Sequence, residues 1–388
     1  MHICHLAASH TAFSARLFQR EALSARGAGF EVTIIAVADR FPADPPDHGC
    51  RIIELPESSR AGKLLTASRL FRVGRGQQCD VYHCHDLASL TAGVTLKLFT
   101  GRRIIYDAHE DYPLTHSSNI TRNSRLRKLL RCAILGYEWL FARFADEVFA
   151  VDPLIARKFW AMHIKCRVLP NFQRLRGLVP PSYSLPDLTN RRVFVYAGGL
   201  SRHVAILEVL AAVDRLRVRH PDVLVVFVGA FWDGLYKEKV EAYMREKALD
   251  NHIQFMGEIP VAVVPQLLSR CLAGLILYGP TMKYGDKLLY AVKLMEYIAA
   301  GLPVIASSFR GLSIMARRRG CGLVVDPTSS IEIEAAMERL LNDPAFAQSL
   351  GSASRRAFEN RYHWELVEPK LLTAYGRLGV RRGSSPGR

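Results

Sequence analysis

The stretch KLMEYIAAGLPVIASS, Lys293 to Ser308, places a helix, a hard stop and a strand in immediate succession. Leu294, Met295, Ile298, Ala299 and Leu302 cover most of a helical circumference, the pattern of a helix buried inside a domain. Gly301 ends the helix and Pro303 prevents its continuation. The residues PVIAS then read as a short buried strand. Lys293 and Glu296, three residues apart, share the one narrow polar stripe. Two readings stay open for that pair. It can be a surface ion pair worth roughly a few tenths of a kcal/mol. Alternatively the stripe faces a cleft, where the lysine meets phosphate and the glutamate accepts hydrogen bonds from paired sugar hydroxyls.

The same alternation of buried strand and helix extends outward in both directions. Upstream, VFVYAGG, a helix from about Val204 to Arg219, VLVVFVGA, a helix over YKEKVEAYMREKA, IQFMG and LAGLILY follow one another. Nearer the N-terminus, HICHLAA and EVTIIAVA read as strands around the amphipathic helix AFSARLFQREALSARGAG. Further strands fall at CDVYHCHD, RRIIYDAHE and DEVFAVD. Short apolar strands separated by helices argue for parallel sheets covered on both faces. A Pro-, Ser- and Arg-rich interval interrupts the series. The expected division is an N-terminal doubly wound domain over 1–170, a linker at 171–190 and a second such domain over 191–358. A C-terminal helix over 359–378, interrupted by Pro369, and a disordered tail at 379–388 complete it. Two doubly wound halves are expected to place a ligand cleft where the C-terminal edges of their sheets face each other.

With 388 residues, 49% hydrophobic and 23% charged, the chain is globular in composition and long enough for two cores. Its net charge of +16 suggests an anionic partner. The eight cysteines are scattered without a C-x-x-C, as expected of a reduced, cytoplasmic protein. Neither a signal peptide nor a transmembrane run is visible.

The chemistry-bearing residues gather at predicted strand ends. Gly198-Gly199 closes a buried strand, Ser201 is placed to cap the next helix, and Arg202 adds positive charge. Such a turn lets backbone N–H groups approach an anion, although a plain tight turn has the same sequence. His83, His85 and Asp86 form a second cluster; Asp107, His109, Glu110 and Asp111 form a third. No His/Cys set has a metal-binding spacing, H-E-x-x-H is absent, and there is no D-x-D. A metal-free route to phosphate is therefore expected. Arg125, Arg127, Lys128 and Arg131 precede the aromatic-rich AILGYEWLFARFA. This segment suits an anionic membrane surface, or else it is a helix packed on its own sheet with a solvated basic face. No nucleic-acid motif is present, so that partner is not expected.

KLMEYIAAGLPVIASS closely resembles the nucleotide-sugar signature of glycosyltransferase family 4, retaining enzymes of the GT-B fold with two Rossmann-like domains facing a cleft. SHTAFSARLFQREALSARGAGFEV, VYHCHDLASL, RIIYDAHEDYP, VLPNF, VYAGGLS, IQFMGEIP and YHWE fall in the family's order, so the resemblance spans nearly the whole chain. It implies that Glu296 holds the nucleotide ribose, that Gly198 and Gly199 face the diphosphate, and that His109 lies near the reacting sugar. Lys293 and Arg202 are assigned to the phosphates, and backbone near Gly257 to the base. His10, Arg16, His85, Asp86 and Glu110 are acceptor-side candidates. Two departures stand out: Leu288 replaces a sugar-contacting glutamate, and Val204-Ala205 replaces the usual basic residue and glycine. The resemblance implies transfer of a sugar, with retention and without metal or cofactor, from a UDP- or GDP-linked donor. The positive charge and the basic, aromatic segment lead us to expect a glycan or lipid-linked glycan acceptor at the inner face of a membrane, and a cytoplasmic, peripheral enzyme. The alternative is a catalytically degenerate partner of an active enzyme. Oligomeric state is not legible.

Overall fold

The computed structural model describes residues 1–38, 48–56, 63–121, 123–175, 183–280, 282 and 290–379. Leu288 and the tail from residue 380 lie outside the described residues. The chain divides into two compact units: Met1–Pro170 together with the segment beginning at Val367, and Asn171–Leu366.

The first unit holds β1 (His2–Thr11), β2 (Glu31–Val37), β3 (Arg51–Leu55), β4 (Val81–Cys84), β5 (Arg103–Ala108), β6 (Glu147–Ala150) and β7 (Cys166–Val168). All pair in parallel in the order β3-β2-β1-β4-β5-β6-β7. The second unit holds β8 (Arg192–Ala197), β9 (Val223–Val228), β10 (Ile253–Gly257), β11 (Ala273–Ile276), β12 (Val304–Ser307) and β13 (Gly322–Val325). Their order is β10-β9-β8-β11-β12-β13, again parallel throughout. The central strands of both sheets are buried along most of their length, the pattern of parallel sheets covered by helices, with His5, His83 and Asp107 as buried polar exceptions in the first. Strand order reverses between β1 and β4 and between β8 and β11, and ligands of such sheets bind beyond the strand C-termini at those points. Edge strands β3, β7 and β13 are short and partly exposed, so the apolar pattern did not announce them.

The decisive helix runs Val292–Ala299, with Leu294, Met295, Tyr297 and Ile298 buried. Gly301, at φ +72°, follows it in the left-handed region. Gly301 N–H donates to Ile298 O at 3.1 Å and Leu302 N–H to Tyr297 O at 2.9 Å, the paired bonds of a glycine-terminated helix. No ion pair joins Lys293 to Glu296 among the described residues, so the surface-pair reading of that stripe does not hold.

Two further expectations are corrected. The helix after Gly198-Gly199 begins only at Ile206, and Ser201 does not cap it. Instead Val204 N–H closes a turn on Ser201 O at 2.9 Å, and Val204 bridges antiparallel to Tyr278. Pro369 does not interrupt the last helix. That helix, Glu368–Gly379, starts at the proline, where a missing N–H does no harm, after a separate short turn at Trp364–Leu366.

Asp86 anchors the first unit's switch point. Its Oδ1 accepts from Ser89 N–H at 2.8 Å, capping the helix Leu87–Thr100, while Ser89 Oγ returns a bond from the Asp86 N–H at 2.9 Å. Its Oδ2 accepts from Ala8 N–H at 2.7 Å and Ser9 N–H at 2.9 Å, beyond the point where β1 leaves β4. Asp86→Ala strands three backbone donors, and we expect thermal or urea denaturation to show a loss of about 2–4 kcal/mol. An unchanged midpoint would contradict this role.

Candidate functional site

Beyond the C-terminal end of β1 and β4 lies a buried polar knot. Its first component comes from a π-helical run, Ala15–Ala22, that leads into the helix Leu23–Gly27. The wider turn changes the side-chain phase, so Arg16, Arg20 and Glu21 all point inward with Leu17 and Phe18. Arg16 makes a bidentate pair with Asp107, Nε to Oδ2 at 2.6 Å and Nη2 to Oδ1 at 2.7 Å. It also donates from Nη1 to Leu169 O at 2.8 Å and lies 3.0 Å from Glu21 Oε1. Burial alone would lower the Arg16 pKa, but Asp107 and Glu21 raise it overall. Burial alone would raise Asp107, yet Arg16 and then His109 hold its carboxyl well below the usual carboxylate range. Burial, with Asp107 beside it, pushes Glu21 well up despite Arg16.

Histidines extend this knot as a chain. Asp107 is ionised and only accepts, so His109 Nε2, 2.8 Å from its Oδ2, carries the ring proton. His85 Nδ1, 3.1 Å from that Nε2, is then an acceptor, and His85 Nε2–H donates to His5 Nδ1 at 2.8 Å. His5 Nε2 ends the chain without a hydrogen-bond partner among the described residues. His83, opposite His5 across β1 and β4, bonds through Nδ1 to the Tyr375 hydroxyl at 2.8 Å. Burial lowers the pKa of His5, His83, His85 and His109, keeping each ring neutral. Only His109 reaches the surface of this chain of rings, and the His10 ring lies tilted against it at 4.6 Å between ring centroids.

Arg16, His85 and Asp86 are buried and act from behind this surface; His10, His109 and Glu110 are partly exposed at it. The sequence-level reading missed His5, Glu21 and Tyr375. Among the described residues, two groups could hold a metal ion: His5, Glu21, His83 and His85, and His85, Asp107 and His109. In the second, the Asp107 oxygens already accept from Arg16 and His109. In the first, the Arg16 guanidinium lies 3.0 Å from Glu21 Oε1.

The second unit's switch point is built from glycines. Gly198 (φ +144°), Gly229 (φ +131°) and Gly257 (φ +69°) stand at the C-terminal ends of β8, β9 and β10. They are linked laterally, Gly198 N–H to Val228 O at 2.7 Å and Gly229 N–H to Gly257 O at 2.7 Å. A Cβ at Gly229 would strike the carbonyl of Gly198. A Cβ at Gly198 would strike the Lys293 side chain, which lies directly over that glycine. The ammonium sits 5.3 Å from the Tyr196 ring centre and 5.8 Å from that of Tyr278, with no carboxylate partner among the described residues. Gly199 N–H has no acceptor there either, while Gly198 and Leu200 on either side are bonded into the sheet edge. Glu296 is half-buried on the same helix. Arg202 is exposed and paired with Asp233. Gly229 escaped the sequence reading, because a single glycine after a strand carries no signal of what crosses it.

The helix Ser124–Ala142 buries only Glu138 and Ala142. Leu126, Leu129, Tyr137, Leu140 and Phe144 are exposed, Leu129 by 67%. Glu138, the one acidic residue between Ser124 and Phe144, is buried against Lys158 and the Tyr106 hydroxyl. The face left open is thus basic and apolar, while Glu138, Phe141 and Ala142 meet the first unit's core. No helix among the described residues is long and apolar enough to cross a membrane.

Two parallel α/β units, each with polar groups gathered at its switch point, define the architecture of the GT-B glycosyltransferases. The family descriptions agree: "Glycosyltransferase Family 4" matches residues 15–173 and "Glycosyl transferases group 1" matches residues 184–357. The chain belongs to this glycosyltransferase family. A glycogen synthase of Mycobacterium tuberculosis is 25% identical over 336 residues, 81% of this chain and 73% of the relative. Anabaena Alr3699/HepE, solved with UDP-glucose, superposes with a TM-score of 0.72 at 15% identity, covering 97% of this chain and 100% of that one. The sucrose-phosphate synthase of Thermosynechococcus elongatus superposes with a TM-score of 0.70 at 20% identity, over 97% and 99%.

The neutral histidines set a pH dependence. A histidine whose folded pKa is depressed contributes stability above its ordinary value of 6.5, and loses it as pH falls. Glu21, raised from 4.5, has the opposite slope, and Asp107, lowered from 3.8, matters only in stronger acid. Four histidines against one glutamate leave stability falling from pH 7 towards pH 5, by at most about 1.4 kcal/mol per pH unit for each ring. Denaturation at several pH values should show this fall, and a flatter one in His83→Gln. A slope unchanged in that variant would remove His83 from the account.

Proposed function

We propose that this glycosyltransferase moves a sugar from a nucleoside-diphosphate donor to a glycan or lipid-linked acceptor, with retention of configuration. The observation that carries the reading is Lys293: an ammonium with no carboxylate partner among the described residues, laid over a positive-φ glycine next to the Gly199 N–H, at the switch point of a parallel sheet. A diphosphate there would meet the lysine charge and the Gly199 N–H, both of which favour the charge that develops as the leaving group departs. Glu296, one helical turn along, would accept the ribose hydroxyls. Arg202 has Asp233 as its own counter-ion, so the phosphate role rests first on Lys293. His109 would position the reacting sugar through its Nδ1 lone pair, its Nε2 proton being committed to Asp107. UDP is one donor base this reading admits, in keeping with the UDP-glucose named for the Anabaena structure; GDP is the other. The absence of D-x-D supports a diphosphate held without metal.

The open basic and apolar face of Ser124–Ala142 supports a peripheral location on an anionic, cytoplasmic membrane surface, where a lipid-linked acceptor would be presented.

Isothermal titration of the full chain with UDP and GDP tests the donor reading. One nucleotide should bind, with Glu296→Ala and Lys293→Ala each weakening it at least about tenfold. Binding of neither would overturn the donor reading and favour a degenerate partner protein instead. Co-sedimentation should show preference for anionic over neutral vesicles, reduced about tenfold or more by Arg127→Glu with Lys128→Glu. Equal binding to both vesicle types would count against the membrane reading.

A further inference from the structure

The loop after β9 carries an indole that the reading above does not use. Trp232 is 74% exposed, more than any other Phe, Tyr or Trp side chain among the described residues. A lone exposed aromatic residue is ordinary on a protein surface. This one is held. Its backbone N–H donates to Leu200 O at 2.9 Å, and Leu200 N–H returns a bond to Ala230 O at 2.9 Å. Phe231 bridges in parallel to Leu200 and packs on Phe255, 5.3 Å between ring centres. Asp233 pairs with Arg202 and accepts from Tyr236 N–H at 3.3 Å, starting the helix Gly234–Glu246. The loop is therefore stapled on both sides of the tryptophan.

The position of the ring is equally specific. A Cβ on Gly199 would strike indole atoms Cζ2, Cε2 and Nε1, so the ring edge rests on the bare Cα of that glycine. The two glycines of the turn thus serve two side chains: Gly198 admits Lys293 and Gly199 admits Trp232. β9 lies between β8, whose end carries this turn, and β10, whose end carries Gly257. A ligand with its diphosphate at the first and its base towards the second would pass over the loop that follows β9, which carries Trp232. A rigid aromatic face is what a nucleobase stacks on, irrespective of its hydrogen-bonding edge.

Resting on the diphosphate site assigned above, we propose that Trp232 is the stacking platform for the base of the bound nucleoside diphosphate. It gives affinity for the nucleoside part without choosing between uracil and guanine, a choice left to groups that meet the base edge.

The test is calorimetry of the full chain with UDP, GDP, UDP-glucose and inorganic pyrophosphate, on the natural protein, Trp232→Ala and Trp232→Phe. The variants change an exposed side chain, so folding is checked by an unchanged melting temperature. Stacking predicts that Trp232→Ala weakens the nucleotide bound by the natural protein about five- to a hundredfold, and leaves pyrophosphate unchanged. Trp232→Phe should recover most of the affinity. Tryptophan fluorescence should be quenched by saturating nucleotide in the natural protein and not in Trp232→Phe. Nucleotide affinity unaltered in Trp232→Ala, or quenching that persists in Trp232→Phe, would overturn the proposal. So would a loss seen with UDP-glucose but not with UDP, which would move the platform to the sugar. If the natural protein binds none of the four ligands, the donor reading itself falls, an outcome distinct from any of these.

Discussion

One hydroxyl holds the second unit's site in register. Tyr297 is fully buried, its oxygen accepting from Ala197 N–H at 2.9 Å and donating to Leu275 O at 3.4 Å. Those two groups belong to β8 and β11, where the strand order reverses. Its ring lies on Gly274, where any Cβ would collide with it. Unpaired polar groups in such a place would each cost about 1–3 kcal/mol, so the phenol both fills and satisfies the split. Because Tyr297 sits on the same helix as Lys293 and Glu296, pinning it sets where that helix meets the glycine turn. The buried face of KLMEY thus positions the polar stripe.

The first unit solves a related problem with charge in place of a single phenol. Asp107 is buried among Arg16, His85 and His109, and Arg16 reaches from the start of the chain to Leu169 at the end of the unit. An isolated buried carboxylate would be too costly to keep ionised, and here a bidentate guanidinium makes it possible. The histidines stay neutral beside it, which makes each a directional hydrogen-bonding group. His109 is the end of that chain which meets solvent, and the remainder determines which of its nitrogens is offered.

Much of this was legible in the residues alone. The helix, glycine stop and strand of Lys293–Ser308, the parallel alternation and the glycine pair are local patterns, governed by periodicity and backbone freedom, and they lie where the sequence put them. His109 stood out because acidic neighbours crowd it. What escaped depends on contacts between distant segments or on a change of phase. A π-helical turn brings Arg16, Arg20 and Glu21 inward together, and an α-helical wheel places them otherwise. Trp232 and Gly199 are neighbours only because β8 and β9 pair. The Ser124–Ala142 segment suited either a membrane surface or its own sheet; that Leu126, Leu129, Tyr137 and Leu140 are left open is set by packing between segments distant in sequence.

The lysine resting on Gly198 also has a historical side. A variant that gains a side chain at 198 evicts the Lys293 ammonium, and one that shortens residue 293 leaves the glycine's unusual backbone with nothing to accommodate. Neither position can wander alone without losing what the other was kept for. Across descendants of this chain, the two should therefore be inherited as a unit, ninety-five residues apart in the text (293 minus 198) yet a single character in selection.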